Sequence, residues 1–306
     1  MGEATDGAGA EVTIMIVTRN RPELLREALR HAARQRGASL EVVVVDDHSD
    51  YDCETVIAPF RSELRIKAVR LPAQSGTCVA RNRGIMESSA EVIVQLDDDS
   101  WLVEPDAARV LADCVAGDAT IGALAVRLHY PWSGAANGVG TPFERWRGAH
   151  LSEEYSFQGC SVVLRRSAAI AAGMYPASYI YYGEEDYLAA RLLQAGYRIC
   201  LFSERSVVHG YDTLPNDSIS ADVQRRKSLL NSSHLAATFL SIMPFPLNLA
   251  TGGMRLLLAV ARERLPIAPM LQRIREARSG LPHNPMSWRQ ALAYFRLRRA
   301  VRRRLR

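Results

Sequence analysis

At 306 residues, 48% hydrophobic and 23% charged, the chain reads as a soluble globular protein with one large domain, or one domain plus an appendage. No stretch approaches the ~20 uninterrupted apolar residues of a membrane-spanning helix, and five scattered cysteines without a C-x-x-C pair argue against a structural zinc site and for a reducing, cytosolic compartment. The net charge of +5 sits at the C-terminus, where seven arginines crowd the last eleven residues and leave the remaining body close to neutral.

Residues 1–11 are small and acidic, unlike a secretory signal, and read as a short disordered leader. From residue 12 the pattern alternates strand and helix. Residues 12–17 form a buried-type strand, and Pro22 opens a helix in which Leu24, Leu25, Ala28, Leu29 and Ala32 recur at helical spacing. Residues 40–45 make a second apolar strand, closed by Asp46 and Asp47. A helix over 51–61, a short strand over 66–71 and a helix over 77–88 follow. The strand over 91–96 then delivers Asp97, Asp98 and Asp99. Continuous β-branched strands separated by helices predict a doubly wound, mostly parallel, Rossmann-like sheet over residues 12–115. Ligands bind such sheets at the carboxyl ends of the strands, where Thr18-Arg19-Asn20, Asp46-Asp47 and the three aspartates all fall.

Beyond residue 121 the pattern is mixed. Strands are expected over 123–129, 161–164 and 198–202, a loop over 134–148, and a helix over 185–195 ended by Gly196. After about residue 220 the chain is helical and amphipathic to its end.

Three adjacent carboxylates repel one another unless a cation neutralises them or all face open water. Alternation along a strand puts Asp97 and Asp99 on one face and Asp98 on the other. That D-x-D geometry suits a hard divalent ion, which takes oxygen ligands and engages substrate phosphates; a solvated acidic turn is the plainer alternative. Asp47, at a strand end, can accept a hydrogen bond from the ring N–H of a base, or can serve as a helix cap. Thr18 begins a loop beside it, Arg21 is within reach of a phosphate, and the fork of Arg81 matches pyrophosphate oxygens. In Glu184-Glu185-Asp186, crowding by neighbouring carboxylates and partial burial would raise one pKa toward that of a general base. The same acids can instead complement a helix dipole. Cys160 has nothing near it that marks an activated thiolate. Trp132, Trp146, Tyr155, Tyr181 and Tyr182 offer stacking surface for a ligand, or are simply core.

The ordered set of these words resembles a family 2 glycosyltransferase. It runs from Thr18-Arg19-Asn20-Arg21 through Val45-Asp46-Asp47-His48-Ser49, Ala80-Arg81-Asn82-Arg83-Gly84 and Asp97-Asp98-Asp99. It continues through Gly183-Glu184-Glu185-Asp186, Arg191-Leu192-Leu193-Gln194-Ala195-Gly196-Tyr197 and Val207-Val208-His209, covering roughly residues 12–210. The resemblance implies a GT-A fold, a nucleotide-sugar donor, a divalent metal (Mn²⁺ or Mg²⁺) and inversion at the anomeric carbon. It also implies that Asp47 reads the base, that Asp99 is a metal ligand with His209 near the metal, and that Asp98 or Asp97 contacts the ribose. Counting back from Arg191 places the base on Glu185, where the family often has an Asp, so the choice between Glu185 and Asp186 is open.

The implied organisation is a leader over 1–11, a catalytic domain over 12–220 (12–115 nucleotide-binding, 116–220 acceptor half) and a basic helical C-terminal extension over 221–306. In the last helix Tyr294, Leu297, Val301 and Leu305 recur at helical spacing among arginines, so it either lies on a membrane surface near a lipid-linked acceptor or packs on the catalytic domain. The implied function is metal-dependent sugar transfer from a UDP- or dTDP-sugar, in preference to a GDP-sugar, to a hydroxyl acceptor in polysaccharide, glycolipid or glycosylated-metabolite assembly. Three other readings compete. A sugar-nucleotide nucleotidyltransferase needs a Gly-rich phosphate loop where Thr18-Arg19-Asn20-Arg21 stands. A receiver domain needs a strand-end lysine that neither Lys67 nor Lys227 supplies. A catalytically silent nucleotide-sugar-binding protein has no use for both acidic clusters. No nucleic-acid partner is expected.

Overall fold

A computed structural model of the protein describes residues 10–129, 151–179, 181–210 and 221–304. The leader expected over 1–11 and the loop over 134–148, with Trp132 and Trp146, lie wholly or mostly outside these residues.

The first half follows the expected alternation: β1 (Val12–Thr18), α1 (Pro22–Ala33), β2 (Leu40–Asp46), α2 (Glu54–Ile57), β3 (Arg65–Arg70), α3 (Thr77–Glu87), β4 (Val92–Asp97), β5 (Ser100–Leu102) and α4 (Ala107–Gly117). Then come β6 (Ile121–His129), β7 (Leu151–Glu154), β8 (Ser161–Arg165), α5 (Arg166–Ala171), α6 (Glu184–Gln194) and β9 (Arg198–His209). Four helices end the chain: α7 (Ala221–Ile242), α8 (Leu247–Glu263), α9 (Ile267–Ser279) and α10 (Trp288–Arg304).

One sheet carries all the strands in the order β3-β2-β1-β4-β8-β6-β9-β5, with β7 also paired to β9. Strands β3, β2, β1 and β4 run parallel, and β8 enters antiparallel between β4 and β6. The parallel register sets Thr18 beside Asp46 and Val17 beside Asp97. Three polar strand ends therefore meet at one edge, and that edge is where the site forms.

Both faces of the sheet are covered, which is why its strands read as continuous apolar runs. Ile14, Ile16, Val42 and Val44 face a core shared with α1, α2 and α4. On the opposite face Met15, Ile93 and Leu164 pack with α3, α5 and α6, and also with Ala236 of α7, Ile274 of α9 and Ala291 of α10. The C-terminal helices thus share a core with the sheet. On the same face Gly84 lets α3 lie close against β1, because a Cβ there would stand 2.3 Å from the sulfur of Met15.

Two expectations change, and the last helix takes one of its two expected placements. The helix expected over 51–61 shrinks to α2 and a 3₁₀ turn, Ala58–Phe60, since Pro59 lacks an N–H and its ring crowds the preceding turn. Strand β9 continues past residue 202 to His209; the polar Glu204 and Arg205 hide this, and a register shift against β6 absorbs them. Finally, α10 turns its apolar stripe inward. Tyr294 and Val301 are buried, and Arg304 at its end reaches the Glu153 carbonyl and the Glu154 carboxylate. That stripe is covered by protein, the second of the two placements expected for this helix; Leu305 lies outside the described residues. No helix among the described residues is long and apolar enough to cross a membrane.

Candidate active site

Strand β4 ends at Asp97, and Asp98 and Asp99 form the turn into β5. Strand alternation therefore does not govern the last two carboxylates. Both meet Arg21, whose Nη1 lies 2.7 Å from Asp98 and whose Nη2 lies 2.6 Å from Asp99. Thr18 Oγ1 donates to Asp98 at 2.8 Å. Burial pushes Asp98 up to about 7, with Arg21 and Thr18 working against the rise. Burial acts on Asp99 too, but His209 and Arg21 outweigh it and hold its carboxyl below the usual range.

His209 arrives from more than a hundred residues away because β5 and β9 pair antiparallel, which sets His209 opposite Ser100. Its Nε2 lies 3.2 Å from Asp99 Oδ1. Burial opposes protonation of the imidazole, yet the Asp99 carboxylate raises its pKa overall. The next residue, Gly210, leaves room for the Trp101 ring, which a Cβ would meet at 1.9 Å.

Ligand atoms of Asp97, Cys160 and His209 lie within 4.8 Å of one another. Burial pushes the Cys160 thiol well up, and sulfur is a soft ligand that offers a hard ion little. A carboxylate and an imidazole remain, with Asp99 at hand, and such an oxygen and nitrogen set fits Mn²⁺ or Mg²⁺.

Asp47 is buried beside Thr18. Its Oδ1 accepts the Ser75 amide at 2.6 Å and its Oδ2 the Gly76 amide at 2.9 Å. The neighbouring Asp46 is committed to Ser49 and Arg70. Thr18, Arg21, Asp47, Asp97, Asp98 and Tyr181 line a cleft of about 280 Å³ at the carboxyl edge of the sheet.

Arg81 sits under this cleft and not in it. Only 3% exposed, its Nη2 donates to Asp97 at 2.9 Å and its Nη1 to Glu184 at 3.0 Å. The guanidinium rests against Tyr175 and occupies the space where Gly159 would carry a Cβ, 2.6 Å from both terminal nitrogens. A pyrophosphate cannot reach it in this arrangement. Asn82 holds the same floor, exchanging two hydrogen bonds with the backbone of Tyr175.

Glu184, Glu185 and Asp186 open α6, whose positive end favours carboxylates. Glu184 is taken by Arg81. Glu185 accepts the Gly159 amide at 3.3 Å. Part of its side chain remains accessible while protein surrounds the carboxyl group. Burial, reinforced by Glu184, pushes that carboxyl up to about 8. Asp186 faces another way and accepts from Ser156 Oγ at 2.9 Å.

The structure thus gathers Thr18, Arg21, Asp47, Asp97, Asp98, Asp99 and His209 around one edge, and ties Glu185 to it through Gly159 and Arg81. Sequence reasoning missed the inward turn of Arg81 and the part played by Gly159. The only signal was a glycine next to a cysteine ahead of a strand, which says nothing about an arginine 78 positions earlier.

A family model described as "Glycosyl transferase family 2" matches residues 13–169, just over half of the chain. An uncharacterized glycosyltransferase, YwdF of Bacillus subtilis, is 33% identical over 36% of this chain and 42% of its own length. The succinoglycan biosynthesis protein ExoO of Rhizobium meliloti is 32% identical over 32% of this chain and 28% of its own. The matches therefore span less than half the length of these curated relatives. A crystal structure of GalNAc-T7 with UDP, GalNAc and Mn²⁺ aligns over 90% of this chain and 55% of its own, with a TM-score of 0.63 at 15% identity. The mannosyltransferase PcManGT of Pyrobaculum calidifontis, in complex with GDP-Man and Mn²⁺, aligns over 97% and 86%, with a TM-score of 0.56 at 17% identity. These likenesses give the chain a GT-A-type fold, and with the family match and the acidic strand ends they agree on one conclusion: the chain belongs to glycosyl transferase family 2.

Proposed function

We propose that the cleft transfers a sugar, with inversion, from a nucleotide-sugar donor to a hydroxyl acceptor in polysaccharide, glycolipid or glycosylated-metabolite assembly. The observation that carries this reading is the joining of two acidic groups of different character at one sheet edge. The Asp97–Asp99 cluster is held by cations. Glu185 is a carboxyl with a raised pKa, suited to taking a proton near neutral pH. The name of the succinoglycan biosynthesis protein supports an assembly role.

Asp97, Asp99 and His209 would hold a divalent ion, Mn²⁺ or Mg²⁺. Such an ion supplies charge stabilisation for a departing nucleoside diphosphate. Arg21, partly exposed at the mouth, turns from Asp98 and Asp99 to a donor phosphate when their charge is met otherwise. Asp98 or Asp97 contacts the ribose. Asp47 reads the base beside Thr18. With each oxygen already accepting one amide, it suits the single ring N–H of uracil or thymine better than the paired donors of guanine, so a UDP- or dTDP-sugar is favoured over a GDP-sugar. Arg81 is a positioning residue that keeps Asp97 and Glu184 in place. Glu185 takes the acceptor's proton as its oxygen attacks, and Asp186 orients the start of α6 through Ser156.

A thermal-shift series with UDP, dTDP and GDP, each with and without Mn²⁺ or Mg²⁺, tests this. Ligand at about 100 times Kd stabilises the folded state by about 2.7 kcal/mol. UDP or dTDP should raise Tm only with metal present. No shift with any nucleotide would overturn donor binding, and a shift with GDP alone would overturn the base assignment.

A further inference from the structure

Away from the cleft, three arginines converge on a groove of about 580 Å³ between α7, α8 and α10. Arg255 comes from α8, and Arg298 and Arg302 from α10. Arg255 and Arg298 stand over the same Phe239 ring at 4.6 and 5.7 Å, and Arg298 also covers Tyr155 at 5.4 Å. Among the described residues no carboxylate lies within ion-pair distance of any of the three. The Nε of Arg298 is buried without a hydrogen-bond partner. Burial, with Arg298 beside it, pulls Arg255 below the usual guanidinium range.

Like charges gathered in this way oppose folding, and Arg298 and Arg302 repel one turn apart on the same helix. A bound anion removes that cost, and planar guanidinium forks match phosphate oxygens in particular. The neighbouring surface is apolar. On α8, Met254 and Leu257 are 55% and 64% exposed, Leu249 is exposed too, and Phe245 just before the helix is 72% exposed. A cationic groove bordered by exposed apolar side chains has the chemistry of an amphiphile's binding site. It also adjoins the acidic end of α6. Arg298 covers Tyr155, and the next residue, Ser156, donates to Asp186.

We propose that this groove binds the terminal phosphate of a membrane lipid, with the lipid chain against α8, and so presents the lipid to the α6 side of the cleft as acceptor. Only the word acceptor rests on the glycosyltransferase reading; the lipid-phosphate site stands on the groove itself.

The test is flotation of the full chain with phosphatidylcholine vesicles containing phosphatidic acid, which has a terminal phosphate, or phosphatidylserine at matched surface charge. No nucleotide or metal is added, so a failed donor site cannot affect the result. The chain should prefer phosphatidic acid. Arg255→Gln with Arg298→Gln should weaken that binding by ~10-fold or more, the scale for losing partners of a buried charge contact. Arg289→Gln with Arg296→Gln removes the same charge from exposed positions of α10 outside the groove and should keep the preference. If the first pair does not fold, Arg302→Gln at an exposed rim position must reduce the preference on its own. Absent binding, no preference for phosphatidic acid, or equal losses from groove and control pairs would overturn the proposal. Full competition by inorganic diphosphate at concentrations matching the lipid would also overturn it, in favour of a soluble anion.

Discussion

Arg81 and Glu184, 103 residues apart in sequence, form an ion pair of 3.0 Å in which both side chains are 4% exposed. With Asp97 on the other nitrogen of the same guanidinium, this pair ties strand β4 to helix α6. Residues proposed for donor and acceptor chemistry are thereby fixed against one another.

The first prediction concerns that tie. Arg81→Met leaves Glu184 buried without its cation, and breaking a buried pair in this way costs about 3–5 kcal/mol. Gly159→Ala, whose methyl would press on the guanidinium, should cost about 1–3 kcal/mol by overpacking. The two should not add, because the methyl has nothing to press on once the guanidinium is gone. Urea unfolding of both single variants and the double variant measures this. Simple additivity would mean that Gly159 is small for some other reason.

Asp99→Ala removes an anchor shared by Arg21 and His209 and one of the proposed metal ligands. Titration calorimetry of UDP on this variant should show an affinity that no longer responds to Mn²⁺. Wild-type protein should lose most of its affinity when the ion is chelated. An undiminished Mn²⁺ effect in the variant would remove Asp99 from the ligand set.

Much of the sheet edge was legible because apolar strands ending in polar residues have few alternatives. Val17, Val45 and Leu96 each hand over to a polar residue, and the parallel register lines those residues up. His209 was legible as a residue after an apolar pair, but its pairing with Ser100 depends on an antiparallel contact to a three-residue strand too short to show a period. Arg81 was misread because sequence carries residue type and not direction: an arginine suits an outward phosphate and an inward pair of carboxylates equally well. The last helix was ambiguous for a similar reason. Tyr294 and Val301 mark an apolar stripe whether protein or lipid covers it, and only the fold shows protein there.

A pH effect on stability follows from Glu185. Its folded pKa, about 8, stands above the ordinary 4.5. The folded state therefore holds a proton that the unfolded state releases between these values, and stability must fall as pH rises through that window. The sign is opposite to that of a salt-bridged carboxylate. Glu185→Gln cannot ionise, so its Tm should exceed that of the wild type by more at about pH 8.5 than at about pH 5. Scanning calorimetry at the two pH values reads the difference, and a constant gap would mean that Glu185 ionises as easily folded as unfolded.

The same carboxyl decides the last prediction, which concerns rate. Glu185 must be deprotonated to accept the acceptor's proton, so turnover should rise with pH and level off above the pKa near 8. Glu185→Gln keeps the side-chain size and can retain the contact with the Gly159 amide through its carbonyl oxygen, but it has no basic carboxylate. Turnover should fall by at least the ~10²-fold typical of a lost general base, with nucleotide affinity barely altered, since the acceptor and not the diphosphate meets this residue. Asp186 is bonded to Ser156 Oγ, and Asp186→Asn can keep that bond, so its rate should stay within about tenfold of wild type, well short of the loss of a general base. Steady-state kinetics of both variants across pH separates the roles. If Asp186→Asn abolishes turnover and Glu185→Gln leaves it near normal, the base is Asp186, and the raised pKa of Glu185 reflects only the crowding of carboxylates at the start of α6.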